Sequence, residues 1–479
     1  MSRVKTLLRY GGFVFSVGSA RAIGILLSSI TFPYLIRRLG VETYGLWSYV
    51  VAVCVFINGL ANPGLTVYTG QQVAERRRQA FDLVPDILTL RILATAVAVL
   101  VMLGVALVDR RPEVKYLLRF FGVGLLLVNV AGSEYLLGAL EMFHVRSMLA
   151  VVQQAVYAIG IFALVRSPRD VKWLAASILV STLLSNLAGW VFLWKAGLNL
   201  HWTVQPGRWK SILVPSAHYA ASNLMSNLYH RSGHLVVRWF LGEYALGLYA
   251  AAARFTDILQ QFVGVILNVI MPRIAVSAKS PVEVARVSRM AVTLIAFVTL
   301  PLLTGTISTA HLIVPWIFGA KYLADIRLLQ WMSPCILAAP AASLLSGTIL
   351  YAMGRHRAYF ASTAAGAVVG VVSYLILIPT LGLTGAALAF SFGQIVVAVT
   401  AYALMPPEVR EACKNPYIAA AAAASVAMML VVRLVNLHTS RPALVISAGA
   451  LAYALLCIWP AKRWLGQEFG LGARVLTHG

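Results

Sequence analysis

The chain has 479 residues, of which 60% are hydrophobic and 11% charged, and it carries a formal net charge of +23. A soluble domain holds roughly a quarter charged residues, so the composition excludes a soluble protein and describes an integral membrane one. The basic residues are scattered through short turns beside apolar runs, the positive-inside pattern rather than a nucleic-acid surface, and Cys54, Cys335, Cys413 and Cys457 have the spacing of neither a zinc site nor a disulfide framework.

From the N-terminus, Arg3, Lys5 and Arg9 precede an apolar run that Arg21 interrupts. No small-residue cleavage site follows, so this run reads as a first span and not as a signal peptide. Runs of about 20 mostly apolar residues then recur to the end of the chain. They predict fourteen spans, at 12–36, 44–65, 86–108, 116–137, 147–165, 173–194, 212–235, 245–271, 290–316, 327–353, 360–380, 384–404, 416–436 and 443–460. The turns on the side of the N-terminus, with Arg76, Arg77, Arg78, Arg286 and Arg289 among them, collect most of the Lys and Arg. Both termini are therefore expected to be cytoplasmic.

The chain also contains an approximate copy of itself. Leu39-Gly40-Val41-Glu42-Thr43-Tyr44-Gly45-Leu46-Trp47 follows the first span, and Leu241-Gly242-Glu243-Tyr244-Ala245-Leu246-Gly247-Leu248-Tyr249 follows the seventh. In each copy two glycines lie five apart with an acid between them. Matching turns in two membrane halves indicate a transporter built from repeats, with its binding site between them. The expected architecture is an all-α membrane protein. It has a six-helix lobe at 1–205, a second at 206–408, and an additional helix pair with a cytoplasmic tail at 409–479.

The segment from Tyr34 through Gly40 to Trp47 resembles the LARxLGxExFGLF turn of Wzx-type O-antigen and polysaccharide flippases, members of the multidrug/oligosaccharidyl-lipid/polysaccharide exporter superfamily. Leu137-Gly138-Ala139-Leu140-Glu141-Met142 is similar to their FQGLExM, with the Gln replaced. Gly247 to Ala252 with Met271-Pro272-Arg273, Leu350 to Arg355, and Leu377 to Ala387 resemble the family's later motifs in order and spacing. The last two spans carry no such motif. The resemblance implies a flippase, not an enzyme, in the bacterial inner membrane. Its cargo would be a polyprenyl-pyrophosphate-linked oligosaccharide, an O-antigen or exopolysaccharide repeat unit, moved by alternating access. It implies no cofactor. Its partners would be the lipid-linked glycan, membrane lipid, a polysaccharide polymerase and glycosyltransferases, with no nucleic acid.

Such cargo calls for cations, Arg above all for its forked donors, and for neutral hydrogen-bonding groups. Arg91, Arg119 and Arg433 lie near span ends and read as snorkelling side chains. Arg21 and Arg254 lie about 13 Å inside their spans by helical rise, where a charge defaults to a functional role. Arg21 shares a face with Gly18 and Ser28, and is either a phosphate contact or a cation capping carbonyls within the bundle. Arg254 has Asp257 three residues on, which is either a buried ion pair or an ion-coupling site. On the seventh span Ser216, Tyr219, Asn223, Asn227, His230 and His234 follow steps of three and four. That stripe is either interhelical glue or a cavity lining for sugar, with Leu224 and Leu228 on the opposite face. His230 and His234 lack a third ligand for a metal site. Glu134 reads as an interfacial carboxylate, and Glu42 and Glu243 as turn residues pairing with Arg37, Arg38 or Arg238. Clustered carboxylates, a nucleotide loop and a nucleophile motif are absent, which disfavours a membrane glycosyltransferase or polymerase. A peptidoglycan-precursor flippase and a multidrug exporter of the same superfamily stay open as alternatives, though a cation exporter would favour buried acids over buried arginines.

Overall fold

Glycines at matching places in the two copies of the turn give the chain the same backbone conformation. The computed structural model describes residues 2–66, 68, 69, 72, 83–130, 132–197, 204–277 and 280–469; the Arg76–Arg78 run lies outside them. Helix Ser2–Ala61 is broken at Gly40 (φ 72°, ψ 173°), and helix Trp209–Ser277 at Gly242 (φ 82°, ψ −176°). This region is open in practice to glycine alone. The repeat of letters is thus a repeat of backbone geometry.

Ten helices among the described residues are long and apolar enough to cross a membrane. Three of them, Ala20–Ala61, His230–Leu267 and His356–Ala403, contain a positive-φ glycine, the last at Gly382. The fourteen expected spans therefore do not appear as fourteen separate helices. The turns after the first, seventh and eleventh are single-glycine breaks, with helix resuming at once on either side. The fourth expected span also differs. Val123–Val130 stops, and a short helix, Glu134–Ala139, begins after Gly132 and Ser133. A broken backbone at membrane depth is tolerated where protein or a wet cavity surrounds it.

The chain forms two compact units, Met1–Gly247 and Leu248–Gly479. The sequence reading expects lobes that meet at 205–206; in the structure the start of the Trp209–Ser277 helix is held to the first unit. Asp86 Oδ1 accepts the Gln205 backbone N–H at 2.7 Å and the Trp209 indole N–H at 3.3 Å. Ile212 packs with Leu65, Ile87 and Leu90. A Cβ on Gly64 would run into the Ser216 carbonyl, so glycine there lets the two backbones approach.

The two copies of the turn also meet inside the first unit. A Cβ on Gly45 would strike the Glu243 carbonyl, and one on Gly247 the Val41 carbonyl. Around this contact lies an ion network. Arg238 donates to Asp109 at 2.6 and 3.2 Å and to Glu243 at 3.1 Å, and its guanidinium sits 3.7 Å from the Tyr49 ring centroid. Arg111 bridges Glu42 at 3.0 Å and Glu243 at 3.1 Å. Glu243 thus pairs with Arg238 as expected. Glu42 pairs with Arg111, which comes from the loop after Val84–Val108 and is 69 residues away in sequence.

In the second unit, the Tyr249 and Tyr374 hydroxyls share a buried hydrogen bond of 3.0 Å. The two C-terminal helices, Pro416–His438 and Pro442–Phe469, pack on Pro281–Ile313 through Met428, Val432, Val445 and Leu312. Asn415 caps the first of them by accepting the Tyr417 N–H.

Candidate functional site

Two adjoining chambers open inside the first unit. The first, about 510 Å³, is walled by residues 51–63, by Phe121, Leu125 and Asn129, and by the 220–227 face of the Trp209–Ser277 helix. Five asparagines line it: Asn58, Asn62, Asn129, Asn223 and Asn227. The second, about 480 Å³, shares Asn58, Asn62, Leu125 and Asn129 with the first. It continues past them to Arg91, Thr95, Gln153, Thr182 and Asn186. Asn129 Nδ2 donates to Asn58 Oδ1 at 3.1 Å, so an amide pair stands where the chambers join.

The stretch between Val123–Val130 and Glu134–Ala139, with Gly132 and Ser133, borders the second chamber. The Asn129 carbonyl accepts the Gly132 N–H at 3.1 Å and one Nη of Arg91 at 2.6 Å, and the Val128 carbonyl accepts Asn186 Nδ2 at 3.0 Å. Side chains have taken over backbone groups that a continuous helix would have bonded internally. Arg91 is only 5% exposed, and its guanidinium lies 4.9 Å from the Tyr135 ring centroid. Its Nε and second Nη have no hydrogen-bond partner. The other charged lining residues, Glu134 and Arg146, pair with each other at 2.6 Å on the exposed side. Among the described residues, the charge of Arg91 is left without an anion.

Several sequence-predicted site residues fall elsewhere. Arg21 is exposed and Ser28 is buried, and neither lines a chamber. Of the seventh-span stripe, Asn223 and Asn227 line the first chamber and Tyr219, His230 and His234 do not. Ser216 is spent on its own helix, donating to the Ile212 carbonyl at 2.7 Å. Leu224, expected on the far face, lines the same chamber as Asn223, because the space wraps over more than one face of the helix. Arg254 and Asp257 lie half-buried in the second unit. Two acids are buried more deeply than Asp257: Asp86 and Asp325 are fully enclosed, and neither carboxyl oxygen of Asp325 has a hydrogen-bond partner.

A span that begins at 86 puts Arg91 near a membrane edge, whereas the structure buries its side chain. The helix starts at Val84, and Arg91 lies about 10 Å along it. The sequence does hold a trace of the chamber: Asn58, Asn62 and Thr66 recur every four residues across the end of the Ser2–Ala61 helix, and Arg91 and Thr95 lie four apart on Val84–Val108.

Fold and composition together define a multi-pass, helical membrane protein. The architecture is similar to that of "Lipid II flippase MurJ, inward closed conformation", with a TM-score of 0.74 at 14% identity over 94% of this chain and 99% of that one. It is similar also to an inward-facing multidrug resistance MATE family transporter of the MOP superfamily, with a TM-score of 0.64 at 14% identity over 81% and 96%. A MOP superfamily transporter from Pyrococcus furiosus, described as having a binding pocket of reversed polarity, gives 0.60 at 13% identity over 84% and 96%. No curated protein matches in sequence. Residues 13–278 match the polysaccharide biosynthesis protein family, and the chain belongs to that family.

Proposed function

We propose that the protein flips a polyprenyl-pyrophosphate-linked oligosaccharide, an O-antigen or exopolysaccharide repeat unit, from the cytoplasmic to the outer leaflet of the bacterial inner membrane. The observation that carries this reading is the first chamber, in a chain of a polysaccharide biosynthesis family: five neutral amides around one space of about 510 Å³. Amides both donate and accept, as sugar hydroxyls do, and they carry no charge to repel or trap a neutral glycan. Alternating access between the repeats 1–205 and 206–408 moves the head group, with both termini cytoplasmic. Asn223 and Asn227 contact sugar. Arg21 and Arg254 are the remaining span cations of the cargo path, with Ser28, Tyr219, His230 and His234 as further polar contacts. Asp257, with Asp325, supplies the carboxyls for ion coupling. Glycosyltransferases and a polymerase act before and after it.

The test is depletion in the native host. Lipid-linked glycan should accumulate in the cytoplasmic leaflet and surface polysaccharide should be lost. A variant with Asn223→Leu and Asn227→Leu should accumulate in the membrane yet fail to restore export. The likeness to a lipid II flippase supports a second reading. Lysis with accumulated lipid-linked peptidoglycan precursor would favour that reading and reject the first.

A further inference from the structure

We infer that the second chamber is an oxyanion site, with Arg91 as its receptor for a phosphate or carboxylate group. The inference rests on the flippase reading only for the source of the anion, which is the cargo's diphosphate or an acidic sugar within it.

The argument begins with what Arg91 lacks. A guanidinium has five N–H donors in a fixed fork. Here one Nη bonds the Asn129 carbonyl, while Nε and the other Nη, both out of contact with solvent, bond nothing. A buried cation is strongly disfavoured unless it is paired. Among the described residues the partners in reach are the Asn129 carbonyl and Tyr135, neither of which carries a formal charge. Glu134 does not neutralise Arg91, because it is bonded through Oε1 to both Nε and an Nη of Arg146 at 3.0 and 2.6 Å. The lining therefore holds two arginines against one glutamate, a net charge of +1.

The remaining walls suit an anion with hydroxyls attached. Thr95, Gln153, Thr182 and Asn186 are neutral and polar, and the space is about 480 Å³. The guanidinium fork matches the two oxygens of a phosphate or carboxylate, and such bidentate bonds are roughly twice as strong as neutral ones. The way in from the first chamber passes the Asn58–Asn129 amide pair, whose single 3.1 Å hydrogen bond can open without uncovering a charge. A glycan held among the five asparagines would thus have an anion receptor next to it.

Thiol labelling of the full-length protein in lipid nanodiscs tests this while leaving Arg91 in place. Thr95, which is buried and lines the chamber, is replaced in the variant Thr95→Cys, made in a background lacking Cys54, Cys335, Cys413 and Cys457. A negatively charged methanethiosulfonate should label it about tenfold or more faster than a positively charged one of similar size, because a cleft of one sign concentrates the opposite ion. Inorganic pyrophosphate or glucuronate should slow that labelling. Protection by pyrophosphate alone assigns the diphosphate, and protection by glucuronate alone assigns the acidic sugar. Arg91→Gln should abolish the preference, whereas Arg119→Gln, at an exposed cation of the same unit, should preserve it. Should Arg91→Gln not accumulate, Arg91→Lys keeps the charge and should retain the preference but weaken protection, since the fork is gone. Equal or reversed reagent preference, no labelling by either reagent, or no protection by either anion would overturn the site. These readouts use no glycan transport, so the site can stand where the proposed cargo fails, and the reverse.

Discussion

Two arginines of the first unit are both largely withdrawn from water, and they are treated in opposite ways. Arg238 is enclosed by two carboxylates and the ring of Tyr49, so its charge is answered on every side. Arg91 is answered by one carbonyl and one aromatic face, beside open space. The first arrangement closes a contact and the second leaves one to be made. Burial alone therefore does not mark a functional charge; burial without an opposing charge, next to a cavity, does.

The comparison breaks most visibly at Arg238. Its replacement in Arg238→Ala strands Asp109 and Glu243, and breaking a buried pair costs roughly 3–5 kcal/mol. A large fall in unfolding free energy in mixed micelles is expected, with partial recovery in the double variant that also carries Asp109→Asn. The same pair should respond to acid. Burial raises the Asp109 carboxyl, but hydrogen bonds from Arg238 and the Arg111 backbone N–H, with the charges of Arg238 and Lys115, outweigh this and hold it below its ordinary value. A lowered carboxylate stabilises the fold fully above its unfolded value of about 3.9. That stabilisation fades as pH falls through the lower folded value. Thermal stability should drop over that acidic window in the wild type, and Asp109→Asn should flatten the drop.

Second in size is the close approach at the same end. The obstacle to a methyl group at Gly45 or Gly247 is a backbone carbonyl rather than the tip of a flexible side chain, so a helix must shift. Overpacking of this kind costs about 1–3 kcal/mol. Gly45→Ala and Gly247→Ala should each lower stability by that order, and together by less than the sum, because one displacement relieves both. An additive result would mean that the two copies of the turn yield independently.

What the sequence disclosed follows the same division. Gly40 and Gly242 were legible as equivalents because a glycine-only conformation leaves a letter behind. The polarity of the 216–234 face was legible because helical spacing puts those residues on one side. Spacing does not say what stands opposite, so Asn223 and Asn227 meet a chamber while Ser216 bonds its own helix. Nor does it reveal partners distant in sequence, and Glu42 finds Arg111 rather than its neighbour Arg38. Position along a span does not show that Arg91 is buried, because the Asn129 carbonyl and Tyr135 that cover it come from a segment about 40 residues away. The break before Glu134 left only Gly132-Ser133 as a trace.

Third, the same kind of substitution should act with opposite sign at Arg91. Arg91→Leu removes one hydrogen bond, worth about 1 kcal/mol, and a ring contact worth about 0.5–2 kcal/mol. The Asn129 carbonyl keeps its bond from the Gly132 N–H, so no new orphan is made. Against that loss stands the relief of an unanswered buried cation, a term of several kcal/mol. The variant should unfold at the same or a higher denaturant midpoint than the wild type, while export is lost. Clear destabilisation would mean that Arg91 holds the bundle together, as Arg238 does.

The smallest effect on stability should come from Glu134, where it separates the two kinds of charge most finely. The Arg146–Glu134 pair is 45% and 70% exposed at its side chains, and pairs so open contribute about 0–1 kcal/mol. Glu134→Gln should therefore leave the unfolding midpoint nearly unmoved. Its effect on the chamber should be larger, because the lining then holds two arginines and no carboxylate, and its net charge rises from +1 to +2. In the Thr95→Cys background the anionic reagent should label faster still, and the gain should shrink as salt screens the exposed Arg146 more than the buried Arg91. Unchanged labelling would place Glu134 and Arg146 electrostatically outside the chamber and leave Arg91 to act alone. A fall in stability instead would make the pair structural, and would move this mouth into the same class as the Arg238 network.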